Sequence, residues 1–549
     1  MNQIEDKILR DKIKSLFKTK KSFEEWDLHK NEISLGLKHR EFGDYQTPET
    51  LVSKVYELIE HKGINYSTLI EPTCGQGSFI IEGLKRENTN LRKVIGIEKQ
   101  AQYIGQLVSA LISENLYSKV EFDLNIHDFF TFDFSKIIDE DCLVIGNPPW
   151  ITNSELSSLK SDNLPTKSNF KKAKGFDALT GKANFDIAEF ILISLIDNIN
   201  AVGKGTIAFL VKNIVSRNIL KMVKEVDWNI TTFEIYNFDA KKEFNVSADA
   251  SLIFLRIGEE NKEKQEIATE YSLYNYLTPI KKFGWVNNEF VANIEKYLNG
   301  CKIEKGDEVD KRFVWRSGLK HDASKVMELT KDESGTILAK DGTFFSKEQP
   351  TIYPLYKSSD ISRISNNFKP RKYVIVTQKK VGEPTDYIQQ IDKKTWDYLI
   401  SNKDVLSNRK SSIYKDKPVY SIFGIGDYSF KKYKVAISGM YKTSKFSLIE
   451  PIDGKSPMVD DTVYFLSTDI KTEALILYGL LNSRIVQDFL ESISFKDNKR
   501  PYTKDILTRI SIKKVSLLIK LNELNKILQE ANLDLISETE YCDFIKKYG

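Results

Sequence analysis

The sequence predicts an α/β fold: a doubly wound, Rossmann-like sheet followed by a mixed α+β domain. Three observations carry the prediction. Over the first 280 residues, short apolar runs alternate with amphipathic helical stretches. Acidic or amide side chains recur where four successive predicted strands end. Past about residue 280 the alternation gives way to short β-like runs between polar turns. The chain of 549 residues is long enough for two cores, and we divide it into 1–280 and 281–549.

Taken in order, residues 1–40 read as helix with a polar surface. Thr47-Pro48-Glu49-Thr50 is a helix start, with Thr47 as cap and Pro48 in the first turn, where its missing N–H costs nothing. The helix it opens places Val52, Val55, Tyr56 and Ile59 on one face. Strands are predicted at Thr68–Glu71, Lys93–Glu98, Val120–Ile126 and Asp141–Gly146, with helices at Ser78–Arg86 and Gln100–Leu116. The second helix carries the stripe Ile104, Leu107, Val108, Leu111 and Ile112. Beyond residue 150 follow a helix at Asn184–Ile199 and strands at Thr206–Val211, Ile230–Tyr236 and Ser251–Ile257. The second domain shows β-like runs at Tyr373–Gln378 and Lys434–Ser438 and one helix at Glu473–Leu490. From Ile512 onward the chain reads as helical, with Leu517, Leu521, Leu524 and Leu528 on one stripe.

Composition excludes several classes. The longest apolar stretch, Phe185 to Ile196, is interrupted by Asp186 and Glu189 and cannot cross a membrane. The N-terminus is charged and has no apolar signal core. Cys74, Cys142, Cys301 and Cys542 show no paired spacing, so neither a metal site nor a disulfide framework is expected, and a reducing cytoplasm fits. The net charge of +4 hides an asymmetry. Residues 281–549 carry 46 Lys and Arg against 36 Asp and Glu, whereas residues 1–280 carry 35 against 41. Residues 357–445 alone hold 19 basic and 8 acidic residues, interleaved with aromatics such as Tyr373, Trp396, Tyr414 and Tyr428. A basic module behind an acidic one fits nucleic-acid binding joined to catalysis, though a solvated lysine-rich surface gives the same count.

Four places carry candidate chemistry. Glu71-Pro72-Thr73-Cys74-Gly75-Gln76-Gly77 follows the first strand and opens a helix. Gly75 and Gly77 let a ligand approach the backbone, and Glu71 suits a cationic amino group. The loop lacks the full G-x-G-x-x-G pattern, so pyrophosphate is not its natural ligand. Glu98 ends the second strand, where a carboxylate can accept from both hydroxyls of a ribose or simply face solvent. Asp128-Phe129 follows the third, suited to an aromatic amine or to an ordinary helix cap beside a core ring. Asn147-Pro148-Pro149-Trp150 closes the fourth. There the Asn147 side chain and the Pro148 carbonyl form a rigid row of acceptors beside the flat ring of Trp150. Such a row can hold both hydrogens of a ring amine; a strand-ending turn with a core Trp is the plainer reading. All four lie at carboxyl ends of strands, where open α/β sheets bind ligands.

Together these segments resemble the gamma-class adenine-N6 DNA methyltransferases of type II restriction-modification-like systems, with a TaqI-like C-terminal specificity domain. The resemblance rests on Asp44-Tyr45-Gln46-Thr47-Pro48, EPTCGQGSF at 71–79, Gly96-Ile97-Glu98, Asp128-Phe129 and NPPW at 147–150. It continues through Asn184-Phe185-Asp186, Gly203-Lys204-Gly205-Thr206-Ile207-Ala208-Phe209 and Phe244-Asn245-Val246. In the second half it takes in Arg316-Ser317-Gly318-Leu319, Leu355–Ile361 and Tyr478-Gly479-Leu480-Leu481-Asn482-Ser483. Trp150 stands where Tyr or Phe is more usual, and Thr73 where Ala or Ser is common.

The resemblance implies a methyltransferase sheet followed by a target-recognition domain, with S-adenosylmethionine as cofactor. Thr47, Glu71, Gly75, Gly77, Glu98, Asp128 and Phe129 would bind it. Asn147, Pro148, Pro149 and Trp150 would hold a flipped adenine, with Phe244 on the other face of the base or in the core. It implies double-stranded DNA as partner, no membrane, a monomer in a prokaryotic cytoplasm, and room for a separate cognate restriction endonuclease. Cytosine N4, glutamine side chains and RNA present similar amino groups; cytosine enzymes more often begin the motif with Ser. Only about 40 residues precede the first cofactor motif, too few for a fused nuclease. The intact acids, glycines and NPPW argue against a silent DNA-binding protein.

Overall fold

A computed structural model of the chain describes residues 3–29, 46–151, 186–306, 312–332, 335–361 and 370–549. Residues 30–40 of the expected N-terminal helix, Asp44 and Tyr45, and Asn184 and Phe185 lie outside the described residues. The chain divides into two compact units, Met1–Phe290 and Val291–Gly549. The division falls beyond residue 280 because Lys281–Val286 pairs antiparallel with Ile267–Ser272 and so extends the first unit's sheet.

The strands of the first unit are β1 Thr68–Glu71, β2 Lys93–Glu98, β3 Glu121–Ile126, β4 Cys142–Gly146, β5 Gly205–Lys212, β6 Ile230–Phe238, β7 Ala250–Ile257, β8 Ile267–Ser272, β9 Lys281–Val286 and β10 Glu289–Val291. They form one sheet in the order β10-β9-β8-β6-β7-β5-β4-β1-β2-β3. Its centre is parallel, through β3–β2, β2–β1, β1–β4 and β4–β5, and β7 enters antiparallel between β5 and β6. The chain winds from β1 outward to β3 and then returns to β4 on the other side. The strand order therefore reverses between β1 and β4, which makes a crevice at their carboxyl ends.

The central strands are apolar because both faces are covered. All four residues of β1 and all five of β4 are buried. Helices α1 Gln3–Lys14 and α2 Lys20–His29 form the described N-terminus. The segment is less polar than expected: Leu16 and Phe17, in the turn between the helices, and Phe23 and Trp26 of α2 enter the core, and the Leu124 N–H donates to the Leu16 carbonyl. Helix α3 Glu49–His61 buries Leu51, Val52, Val55, Tyr56, Leu58 and Ile59. Helix α4 Ser78–Lys85 follows β1, and α5 Ala101–Ser113 follows β2 with the expected apolar stripe. Helix α6 Ile187–Val202, capped by Asp186, is apolar nearly all round because it is buried nearly all round. Helices α7 Asn213–Met222 and α8 Ala240–Phe244 follow β5 and β6.

Among its described residues the second unit holds two sheets. One is antiparallel, in the order Arg316–Ser317, Val463–Thr468, Tyr433–Ser438, Ser447–Ile449. The other runs Phe344–Phe345, Ile337–Leu338, Glu328–Lys331, Lys372–Ile375, Ile352–Tyr356, Met458–Val459. The helix expected at Glu473–Leu490 is two helices, Lys471–Leu481 and Arg484–Ile493. The break is held by Asn482, whose amide accepts from the Phe446 N–H at 3.0 Å and donates to the Phe446 carbonyl at 3.1 Å. The expected C-terminal leucine stripe is also interrupted. Helix Ile512–Leu518 ends before Leu521–Glu530 begins, so Leu524 and Leu528 are buried while Leu517 is 59% exposed.

Candidate active site

The crevice between β1 and β4 gathers the candidate residues. Glu71 ends β1, and the chain then turns through Gly75 and Gly77, both with left-handed backbone (φ +49° and +76°). The Gly75 N–H donates to Glu98 Oε2 at 3.0 Å, and the Gln100 N–H donates to Glu98 Oε1 at 2.8 Å. Glu98 thus folds back over the glycine loop instead of facing solvent, with one carboxylate tying the end of β2 to the loop after β1.

Glu71 is 3% exposed and accepts from the Ile80 N–H at 3.2 Å. Burial pushes its carboxyl well above the usual range; the Ile80 N–H opposes that shift and the negative charge of Glu98 adds to it. A desolvated carboxylate at a strand end is the group a cationic amine would relieve. Cys74 beside it is no candidate nucleophile, because burial and the two carboxylates push its thiol well up.

The NPPW loop and the N-terminal motif meet here. Asn147 Nδ2 donates to Thr47 Oγ1 at 3.2 Å, although 100 residues separate them. Thr47 is therefore not the cap of α3: Pro48 stands at the N-cap with no side-chain hydrogen bond, and the Thr47 hydroxyl turns to the crevice. Gln46 lies over Gly75, where a Cβ would come 3.8 Å from its amide nitrogen.

Trp150 is 6% exposed, with its indole N–H on the Leu210 carbonyl at 3.0 Å. Phe244 ends α8, and its ring meets Trp150 at 5.2 Å between centroids and 69° between planes. The structure brings the two rings together edge to face. A flat base between them needs about 7 Å between facing rings, two van der Waals contacts, so they must part to admit one.

Asp128 and Phe129 lie beside Glu98, whose carbonyl accepts from the His127 N–H. Asp128 Oδ1 accepts from the Phe130 N–H at 3.0 Å and caps the short turn Phe129–Thr131; Oδ2 pairs with Lys99 at 2.9 Å. Phe129 is buried against Phe134, with ring centroids 4.7 Å apart, and against Phe190. Sequence reasoning missed Lys99 and the rings of Phe134 and Phe190 packed on Phe129. The run Phe129-Phe130-Thr131-Phe132-Asp133-Phe134 was the visible signal for Phe134. Among the described residues no helix is long and apolar enough to cross a membrane.

No family model matches the chain. It is 38% identical over 485 residues to the Type II methyltransferase M.NspV of Nostoc sp., covering 87% of this chain and 98% of that protein. A shorter match, 31% identical over 110 residues, joins it to the Type II methyltransferase M.CvrRI of Paramecium bursaria Chlorella virus XZ-6E, over 20% of this chain and 25% of that protein. The solved Type IIL restriction-modification enzyme MmeI, in complex with DNA, shares the fold: TM-score 0.56 at 12% identity, covering 91% of this chain and 72% of that one. Fold, crevice and relatives define an α/β methyltransferase. By its identity to M.NspV along nearly the whole of that protein, the chain belongs to the Type II methyltransferases.

Proposed function

We propose that the protein transfers a methyl group from S-adenosylmethionine to N6 of an adenine flipped out of double-stranded DNA, as a gamma-class enzyme with a TaqI-like specificity domain. The observation that carries the reading is the meeting of Asn147 with Thr47 at 3.2 Å, beside the glycine loop that Glu98 holds. It sets an amine-gripping loop against a loop suited to an amino acid and a ribose. A nucleoside methyl donor and a flat amine acceptor need that adjacency.

The crevice fits such a cofactor: Glu71 is a buried carboxylate with one hydrogen bond among the described residues. When bound, S-adenosylmethionine supplies an electrophilic methyl group. Glu71 holds its α-amino cation, the backbone around Thr47, Gly75 and Gly77 lines its amino-acid part, and Glu98 accepts from its ribose hydroxyls. Asp128 accepts from the adenine amine and Phe129 packs on that ring. On the acceptor side, Asn147 and the Pro148 carbonyl take the two hydrogens of the target amine, while Pro149 keeps the loop rigid. The amine lone pair is otherwise delocalised into the base; holding both hydrogens turns it toward the methyl group. Alignment and electrostatics do this work with no strong base needed before attack. Trp150 and Phe244 part to stack on the extruded base, whose removal from the helix costs a few kcal/mol. The basic second unit neutralises phosphates and reads base edges. The enzyme acts as a monomer on cytoplasmic prokaryotic DNA, in a restriction-modification or related defence system with room for a separate cognate endonuclease.

Expression in a methylation-free host, followed by modification-sensitive sequencing of its DNA, tests the reading. We expect N6-methyladenine at one short sequence, lost with Asn147→Ala. Methyl groups on cytosine, or undiminished transfer by the variant, would overturn it.

A further inference from the structure

Pro148 and Pro149 supply no N–H groups, so the NPPW loop has half the usual backbone donors with which to hold its pose. Its fastenings come from outside. Asn147 reaches Thr47 on one side. On the other, β5 supplies two holds: the Leu210 carbonyl for the Trp150 indole, and Lys212. The Lys212 ammonium donates to the Trp150 carbonyl at 3.0 Å and to Asp186 Oδ2 at 2.9 Å. Asp186 is 6% exposed on its side chain and also caps α6 through the Ala188 N–H at 3.1 Å. One residue further on, the Ile187 N–H donates to the Ile151 carbonyl at 3.0 Å. The two chain segments flanking residues 152–185 are thus latched together at the carboxyl edge of β5, with a largely buried ion pair at the latch.

We propose that Lys212 is a positioning residue for methyl transfer, holding Asn147–Trp150 in its working pose through the Trp150 carbonyl, with Asp186 fixing the lysine. The role rests on the reading of that loop as the transfer site. A plain lysine–carboxylate pair at a helix start would need only Asp186. Here the same ammonium also holds the residue that ends the motif, and both acceptors lie within hydrogen-bond distance. Charge-assisted bonds of this kind are short and directional, so they set position as well as energy. A buried carboxylate that loses its cation is left uncompensated and draws other donors toward itself, which also shifts the loop.

The test is steady-state transfer of labelled methyl groups to duplex DNA from a methylation-free host, with Lys212→Met and Asp186→Asn. Asparagine caps a helix about as well as aspartate, so Asp186→Asn removes the charge and keeps α6 capped. For Lys212→Met we expect kcat to fall about 10²-fold, the scale of a 1 Å misplacement. The KM for S-adenosylmethionine should stay within roughly twofold, because the cofactor contacts are not touched. Asp186→Asn lowers kcat in the same direction, and the double variant is no worse than Lys212→Met, as expected of two residues in one unit. Wild-type kcat in either folded variant overturns the proposal, as does a multiplicative loss in the double. If Lys212→Met does not fold, Asp186→Asn decides alone: a lowered kcat with unchanged cofactor KM supports the latch and an unchanged kcat rejects it. Absence of transfer to DNA by the wild type overturns the functional reading, and the role of Lys212 with it.

Discussion

On the proposed function, Glu71 sets stability against cofactor binding at a single carboxyl. Its folded pKa is raised, so the fold prefers it protonated. The stability associated with it is present below the ordinary carboxylate range and is lost as pH rises toward the folded value. At neutral pH the free protein bears that cost, and a bound ammonium relieves it. Glu71→Gln should therefore raise the thermal midpoint of the cofactor-free protein at pH 7–8. The gain should vanish as pH falls into the carboxylate range. The same variant should bind S-adenosylmethionine at least tenfold more weakly, about 1.4 kcal/mol. Wild-type affinity should decline on acidification as the cofactor competes with a proton, and the glutamine variant should show no such slope. Scanning fluorimetry and calorimetry across pH read both effects, and a variant destabilised at neutral pH would contradict the argument.

At the level of elements, what could be read from the chain depends on how local the determining contacts are. The bounds of β1 and β2 match the reading because each apolar run, Leu69-Ile70 and Val94–Ile97, is closed on both sides by a polar residue. Glu71, Glu98 and Asn147 were legible because strand ends can be placed from such runs. Thr47 was misread because a threonine before a proline looks like a cap from local sequence alone; its partner lies 100 residues away. The Lys212 latch was invisible for the same reason, its acceptor being 62 residues distant. The break at Asn482 depends on a strand-flanking backbone at Phe446, which no helical periodicity reports. Gly77, at the start of α4, was legible as a loop glycine, but its constraint is tertiary as well. Its φ is +76°, and a Cβ would sit 2.4 Å from Leu107 Cδ1 on α5. Gly77→Ala should cost about 1–3 kcal/mol in stability, from backbone strain and the displaced leucine. Cofactor affinity should weaken with it, because Gly75 and its bond to Glu98 are in the same turn. Urea titration and cofactor binding measure the two. An alanine variant as stable as wild type would show that the turn relaxes freely.

For the whole molecule, the proposed function and the charge asymmetry together assign the two binding reactions to the two units. In the second unit several acids are turned inward. Glu328 is held by Lys357, Lys372 and His321; Asp360 pairs with Arg371; Asp392 caps a helix and accepts from Thr351. Meanwhile Lys379, Lys380, Lys393, Lys394, Lys403, Lys410, Lys415 and Lys417 are exposed. The outward face of this region therefore carries the basic excess that its composition states, which suits a polyanion. The groups proposed to hold the cofactor differ: Glu71 is buried and Glu98 is engaged with backbone N–H groups, so salt screens them little. Raising salt from 50 to 200 mM should then weaken duplex DNA binding by about 10³-fold or more if six or more phosphates are neutralised. The affinity for S-adenosylmethionine should change less than roughly twofold over the same range. Replacing Lys379 and Lys380 with glutamine should lower the slope of log affinity against log salt by about one for each lysine that meets a phosphate. Anisotropy titrations with labelled duplex and calorimetry with the cofactor give the two slopes. Equal salt dependence in both would mean that the basic face of the second unit is not where DNA binds.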